Sequence, residues 1–193
     1  MEEMLQFLCS VYPLSSVCLE YIRKIVRCQP VKKGDVLLRI GEVSRRLYFI
    51  RKGLLHCYYF VDGKPVSGWF FIENDTVVSV GSYYGGTPSE DCIEVQEDGE
   101  LYYITREQFD YLCMTFHDFS ILASLLLSKY LVEFHEHARL IRKRRAEDRM
   151  DIAQERYPKL FARVPKKLIA SWLGVERETL SRRPKRKNFS RKK

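Results

Sequence analysis

The chain has 193 residues, 46% of them apolar and 30% charged, which is enough to bury a core without disulfide or metal staples. Its formal net charge of +8 is unevenly spread: residues 141–193 hold 19 lysines and arginines against 6 acids, net +13, while the other 140 residues hold 14 against 19, net −5. The balance excludes a low-complexity chain and makes the last quarter a candidate polyanion-binding module, because clustered Lys and Arg displace counterions from phosphates.

The opening Met1-Glu2-Glu3-Met4-Leu5 carries acids and lacks the basic flank and apolar run of a signal peptide. The most apolar stretch, Ile121 to Val132, is broken by Ser124, Ser128 and Lys129 and is too short to span a bilayer. A cytoplasmic protein with no membrane partner is therefore expected. Cys9, Cys18, Cys28, Cys57, Cys92 and Cys113 show no CxxC and no paired histidine. They read as six small buried hydrophobes in a reducing compartment, with no metal and no cofactor. His117, His135 and His137 lie in helical sequence and read as packed or solvated side chains.

In chain order, residues 2–28 predict short helices. Leu5, Leu8, Val11 and Tyr12 share one face, and Leu19, Ile22, Ile25 and Val26 repeat the pattern after Pro13. From Val31 to Ile104, short β-rich runs alternate with turn signals such as Lys33-Gly34-Asp35, Gly41-Glu42, Lys52-Gly53, Asp62-Gly63 and Asp98-Gly99. That spacing predicts an antiparallel sandwich or roll, and Asp62-Gly63 is a hairpin signal. Thr105-Arg106-Glu107-Gln108 has the form of a capping box, with Phe109 and Leu112 to be buried behind it. A helix is then expected over 118–144. Phe119, Leu122, Leu126, Tyr130 and Phe134, continued by Ala138 and Ile141, form a seam that predicts a homodimer; the alternative is packing on the chain's own β-domain. Another helix should run from Ala146 to Tyr157 and end at Pro158.

The stretch from Val164 to Arg182 fits a helix-turn-helix. Pro165 suits a first helical turn. Ile169 and Leu173 face inward, Ala170 is small where a second helix must approach, and Gly174 offers the positive φ of a sharp turn. Val175 and Leu180 can plug the gap between the helices. The second helix would start near Arg177 and present Arg177, Glu178, Thr179, Ser181 and Arg182 to a major groove, where Arg grips guanine and Glu accepts from cytosine. Lys166, Lys167, Lys185, Arg186 and Lys187 are candidate phosphate contacts on double-stranded DNA. No nucleophile–base pair, phosphate-cradling glycine loop or metal cluster is visible, so an enzyme is not expected.

Three stretches resemble the cyclic-AMP receptor protein/Fnr family of bacterial transcription regulators, in the form common in Bacteroidetes. They are Lys33–Glu42 with Leu47–Gly53, then Pro88-Ser89-Glu90-Asp91-Cys92-Ile93, and Ile169–Gly174 with Glu178–Arg182. The resemblance implies a homodimer with an effector β-roll (residues 1–117), a dimerisation helix (118–144) and a helix-turn-helix domain with a basic tail (145–193). It also implies Arg177, Glu178 and Arg182 as base readers, RNA polymerase as a partner, and an effector pocket at Gly81, Ser82, Ser89 and Glu90. The fold class expected is α+β, with a cupin-like antiparallel jelly roll.

The sequence departs from that pattern in two places. Nucleotide-binding members place a glutamate after the glycine that Gly81 matches, and an arginine near Ser89. Here Ser82 follows Gly81, and Ser89 is flanked by Glu90 and Asp91. Acids repel a phosphate, so a cyclic nucleotide is not the expected ligand and the small-molecule effector is left unnamed. Arg183 is followed by Pro184, which disfavours helix before it. The reading helix should therefore end near Arg182, with no wing or a truncated one. Two functions stay open: a sequence-specific DNA-binding transcription regulator, or a ligand-sensing roll with a degenerate DNA module that acts through protein contacts.

Overall fold

The computed structural model describes residues 1–175. The chain divides into two compact units, Met1–His137 and Ala138–Lys193, the second described as far as Val175.

The first unit opens with α1 (Glu2–Val11) and α2 (Ser16–Ile25). Their apolar faces bury Met4, Leu5, Leu8, Cys18, Ile22 and Ile25, and the Ser15 hydroxyl caps α2 by accepting from the Cys18 N–H. Strands β1 (Arg27–Val31), β2 (Val36–Leu38), β3 (Arg46–Val61), β4 (Lys64–Phe71), β5 (Thr76–Val77) and β6 (Cys92–Thr105) form an antiparallel, jelly-roll-like sheet. Its order is β1-β6-β3-β4, with β2 also on β6 and β5 also on β3. Helix α3 (Val80–Gly85) lies between β5 and β6.

β3 and β6 form the spine, paired from Arg46↔Thr105 to Tyr58↔Cys92. Their register shifts between Ile50 and Leu55, where Gly53 has φ +123° and a Cβ on Gly99 would stand 2.0 Å from the Lys52 carbonyl oxygen. A side chain cannot fit there, so two glycines permit the bulge that bends the strands. The β3–β4 hairpin turns at Asp62 and Gly63, with φ of 50° and 72°. Both values are positive, as the tight hairpin signal predicts.

The capping box at Thr105 is present in full, and it starts α4 (Arg106–Thr115). Helix α5 spans His117–Ile141, three residues short of its expected end. Phe119 and Leu122 join Phe49, Tyr102, Ile104 and the two N-terminal helices in one buried cluster.

The second unit contains α6 (Ala146–Arg156), α7 (Pro158–Arg163) and α8 (Lys166–Trp172). Pro158 ends one helix as expected, but it also starts α7 from its first position, where its missing N–H costs nothing. The cysteines fit the expectation only in part. Cys18, Cys57 and Cys92 are buried, Cys9 and Cys113 are half-buried, and Cys28 is exposed. Cys28 sits near the start of β1, where it faces solvent because that strand pairs only with β6.

Candidate functional site

The positions assigned to an effector pocket lie on α3 and on the segment leading into β6. Gly81 and Glu90 are exposed, while Ser82 and Ser89 are buried. Ser82 is fully engaged: its hydroxyl accepts from the Ser44 N–H at 2.8 Å and donates to the Thr87 carbonyl at 2.6 Å. Ser89 accepts from the Asp91 N–H at 3.0 Å and lies 2.9 Å from the Ser79 hydroxyl, which donates to the Asp91 carboxylate at 2.7 Å. The Ser89 backbone is bonded both ways to the Gly41-Glu42 loop, each at 2.8 Å. These hydrogen bonds tie the loop to itself. A phosphate brought here would meet the Asp91 carboxylate and hydroxyls already committed.

The seam on α5 packs in part on the chain's own roll. Phe119 and Leu122 are core residues. Tyr130 accepts the Thr76 N–H with its hydroxyl at 2.7 Å, and Phe134 packs edge-on against Trp69 of β4, ring centroids 4.8 Å apart. Leu126 is half-buried against the same core. These contacts lay much of the apolar repeat against the chain's own roll, with Phe134 still exposed. The face left to solvent carries Leu125, Leu127, Leu131 and Val132. The two faces are offset around one helix, and a single apolar spacing could not separate them.

His56, which no motif marked, is buried in β3. A 2.9 Å hydrogen bond joins its Nε2 to the Ser67 hydroxyl, and its ring stacks on Phe70 at 4.7 Å. Burial lowers its pKa to about 4, so it is neutral at pH 7.

In the second unit the described residues end just after α8. Pro165 precedes α8, and Ile169, Ala170, Trp172, Leu173 and Val175 are buried. Gly174 has φ +59°, and Val175 N–H returns to the Ala170 carbonyl at 2.9 Å, which closes the helix end. Lys166 and Lys167 are exposed on the first turn of α8. Arg149 of α6 was missed. Its guanidinium donates to the Lys143 carbonyl at 2.8 Å and to the Gly174 carbonyl at 2.9 Å. Inside a basic run nothing in the sequence sets it apart. Arg177, Glu178, Thr179, Ser181, Arg182, Lys185, Arg186 and Lys187 lie outside the described residues.

Residues 28–116 match the family described as cyclic nucleotide-binding domain. No curated protein matches the chain. Among solved structures, a Crp/Fnr-family transcriptional regulator from Eubacterium rectale is similar at 18% identity and TM-score 0.70, over 90% of this chain and 85% of that one. FixK2 from Bradyrhizobium japonicum is similar at 17% identity and TM-score 0.65, over 82% of each chain. The cAMP-bound regulatory domain of Toxoplasma gondii PKA is similar at 18% identity and TM-score 0.50, over 57% of this chain but only 42% of its own. The described fold is thus shared with these solved Crp/Fnr-family structures, and its roll matches the cyclic nucleotide-binding domain. Among the described residues no single helix is long and apolar enough to cross a membrane.

Proposed function

We propose that this chain is a sequence-specific, DNA-binding transcription regulator of the Crp/Fnr type that works in the cytoplasm as a homodimer and does not respond to cyclic nucleotides. One observation carries the reading. At the α8–Gly174 turn Ile169, Ala170, Leu173 and Val175 are buried, as the first helix and turn of a helix-turn-helix would need, and Lys166 and Lys167 are exposed at the start of α8. On this reading Arg177, Glu178 and Arg182 contact base edges, Thr179 and Ser181 contribute nearby, and Lys185, Arg186 and Lys187 track phosphates. The exposed α5 stripe of Leu125, Leu127, Leu131 and Val132 supplies apolar surface for a second copy, and RNA polymerase is the expected downstream partner. The committed serines and the Asp91 carboxylate support the exclusion of cyclic nucleotides, and the proposal includes no catalytic step.

Selection of bound sequences from a random duplex pool by the full chain tests it. The expected product is an inverted repeat with half-sites about one helical turn apart, unchanged by millimolar cyclic AMP. Failure to enrich any sequence would favour a degenerate DNA module that acts through protein contacts. Enrichment that depends on cyclic AMP would overturn the exclusion of nucleotide.

A further inference from the structure

A cavity of about 210 Å³ runs between the roll and α5 within the first unit. Its floor includes Met4, Leu8, Phe49, Leu112, Phe119 and Leu122, all buried. Val80, Tyr84, Leu127 and Leu131, all exposed, stand at its rim. Among the described residues no Asp, Glu, Lys, Arg or His lines it.

Two of the hydroxyls in its wall are already engaged. The Tyr130 hydroxyl accepts the Thr76 N–H, and the Tyr102 hydroxyl accepts from the amino group of Met1. A water needs two to four polar partners to stay in a cavity, and an apolar void of roughly 150 Å³ stays dry and takes up benzene. This cavity is larger and offers water little.

We propose that it is a binding site for a small, uncharged, largely apolar molecule of the alkylbenzene or short-alkyl class. The uncharged lining rules against anionic or cationic ligands, because an ion moved there would lose its hydration with no partner. The depth rules against a second copy as the main occupant: its floor belongs to the core cluster, and a helix ridge from a partner would reach the rim. Gly81, Ser82, Ser89 and Glu90 do not line it, although Val80 and Tyr84 of the same helix α3 do. The inference does not rest on DNA binding, and it requires that a second copy on Leu127 and Leu131 leave the cavity's mouth open.

The test is a fluorescence titration of the full chain with N-phenyl-1-naphthylamine, followed by displacement with toluene. The expected result is saturable enhancement with one site per chain, reversed by toluene. Ala123 lines the cavity from α5, so Ala123→Phe should weaken binding at least tenfold. Met114→Ser, at an exposed residue outside the cavity, should leave it unchanged. If Ala123→Phe does not fold, Ala123→Leu takes its place. Intermolecular NOEs from toluene in the wild type should then reach the methyls of Leu126 and Leu127 and not those of Leu125 or Val132. Absence of saturable binding, as would follow if a second copy sealed the groove, overturns the proposal. So does equal binding by the filled variant, or NOEs to the outward methyls alone.

Discussion

Residues 1–137 carry 13 lysines and arginines against 19 acids, whereas residues 138–193 carry 20 against 6. The two units also treat their polar groups differently. In the first, buried hydroxyls and a buried imidazole are bonded to one another: Ser79 to Asp91, Ser82 to Ser44 and Thr87, His56 to Ser67. In the second, apolar residues make the core, cations face solvent at Lys166 and Lys167, and Arg149 binds carbonyls. Hydroxyls that are engaged in this way have little left for a phosphate. A unit that leaves its cations in water keeps them for one. The difference teaches that recognition must be argued from the side chains a fold carries and not from the fold alone.

The comparison can be broken at several points. The largest effect is expected at Gly99, where any Cβ meets the Lys52 carbonyl. Gly99→Ala should destabilise the first unit by about 3 kcal/mol or more, seen as a lower midpoint in denaturant. An unchanged midpoint would mean that the bulge does not bend the spine as described.

On the basic side, Arg182→Ala should cost about 1–3 kcal/mol on the best DNA site and relax preference at one base pair per half-site. Deleting residues 185–193 should instead weaken all sequences equally and flatten the salt dependence, by about one unit of slope for each phosphate that the tail neutralises. Competition assays at two salt concentrations separate the two. Unequal weakening on tail deletion would show that the tail reads bases.

The buried His56 sharpens the contrast through pH. The unfolded chain takes up the imidazole proton as pH falls through about 6.5, but the folded ring stays neutral down to about 4. Protonation therefore favours unfolding, and stability should fall by about 2 kcal/mol between pH 7 and pH 5 on account of this residue. Asp75 acts in the opposite sense, because burial raises its pKa and its folded carboxyl takes a proton sooner. Denaturant melts of wild type and His56→Gln separate the two, since only the wild type should show the His56 decline. The smallest effect is expected at Gly174. A Cβ there meets nothing within 4 Å, so Gly174→Ala should cost only the left-handed backbone strain, about 1 kcal/mol, measured as a small drop in stability.

Local signals were the legible part of this chain. Thr105 and Gln108 form their capping box, Asp62-Gly63 turns its hairpin, and Gly174 takes its positive φ. Each depends on neighbours within a few residues. The illegible part depends on groups distant in sequence. The helical repeat at Phe119, Leu122, Leu126, Tyr130 and Phe134 has the same spacing whether it meets a second copy or the chain's own roll. The contacts of Phe134 and Tyr130 with the roll come from Trp69 and Thr76, more than fifty residues away. His56 likewise looks like any strand residue until Ser67 and Phe70 pair across from it. Ser82 and Ser89 stand out by resemblance, and only their bonds to Ser44, Thr87 and Asp91 show that the loop is closed on itself.

The most direct test of the division of labour is fluorescence anisotropy of the full chain with a labelled random duplex at 50 and 200 mM salt. Binding that weakens by about 10³ or more across that range, as expected when six or more phosphates are neutralised, is the predicted result, with no change on adding cyclic AMP. Absence of binding at low salt, or affinity indifferent to salt, would contradict the assignment of the basic unit to DNA.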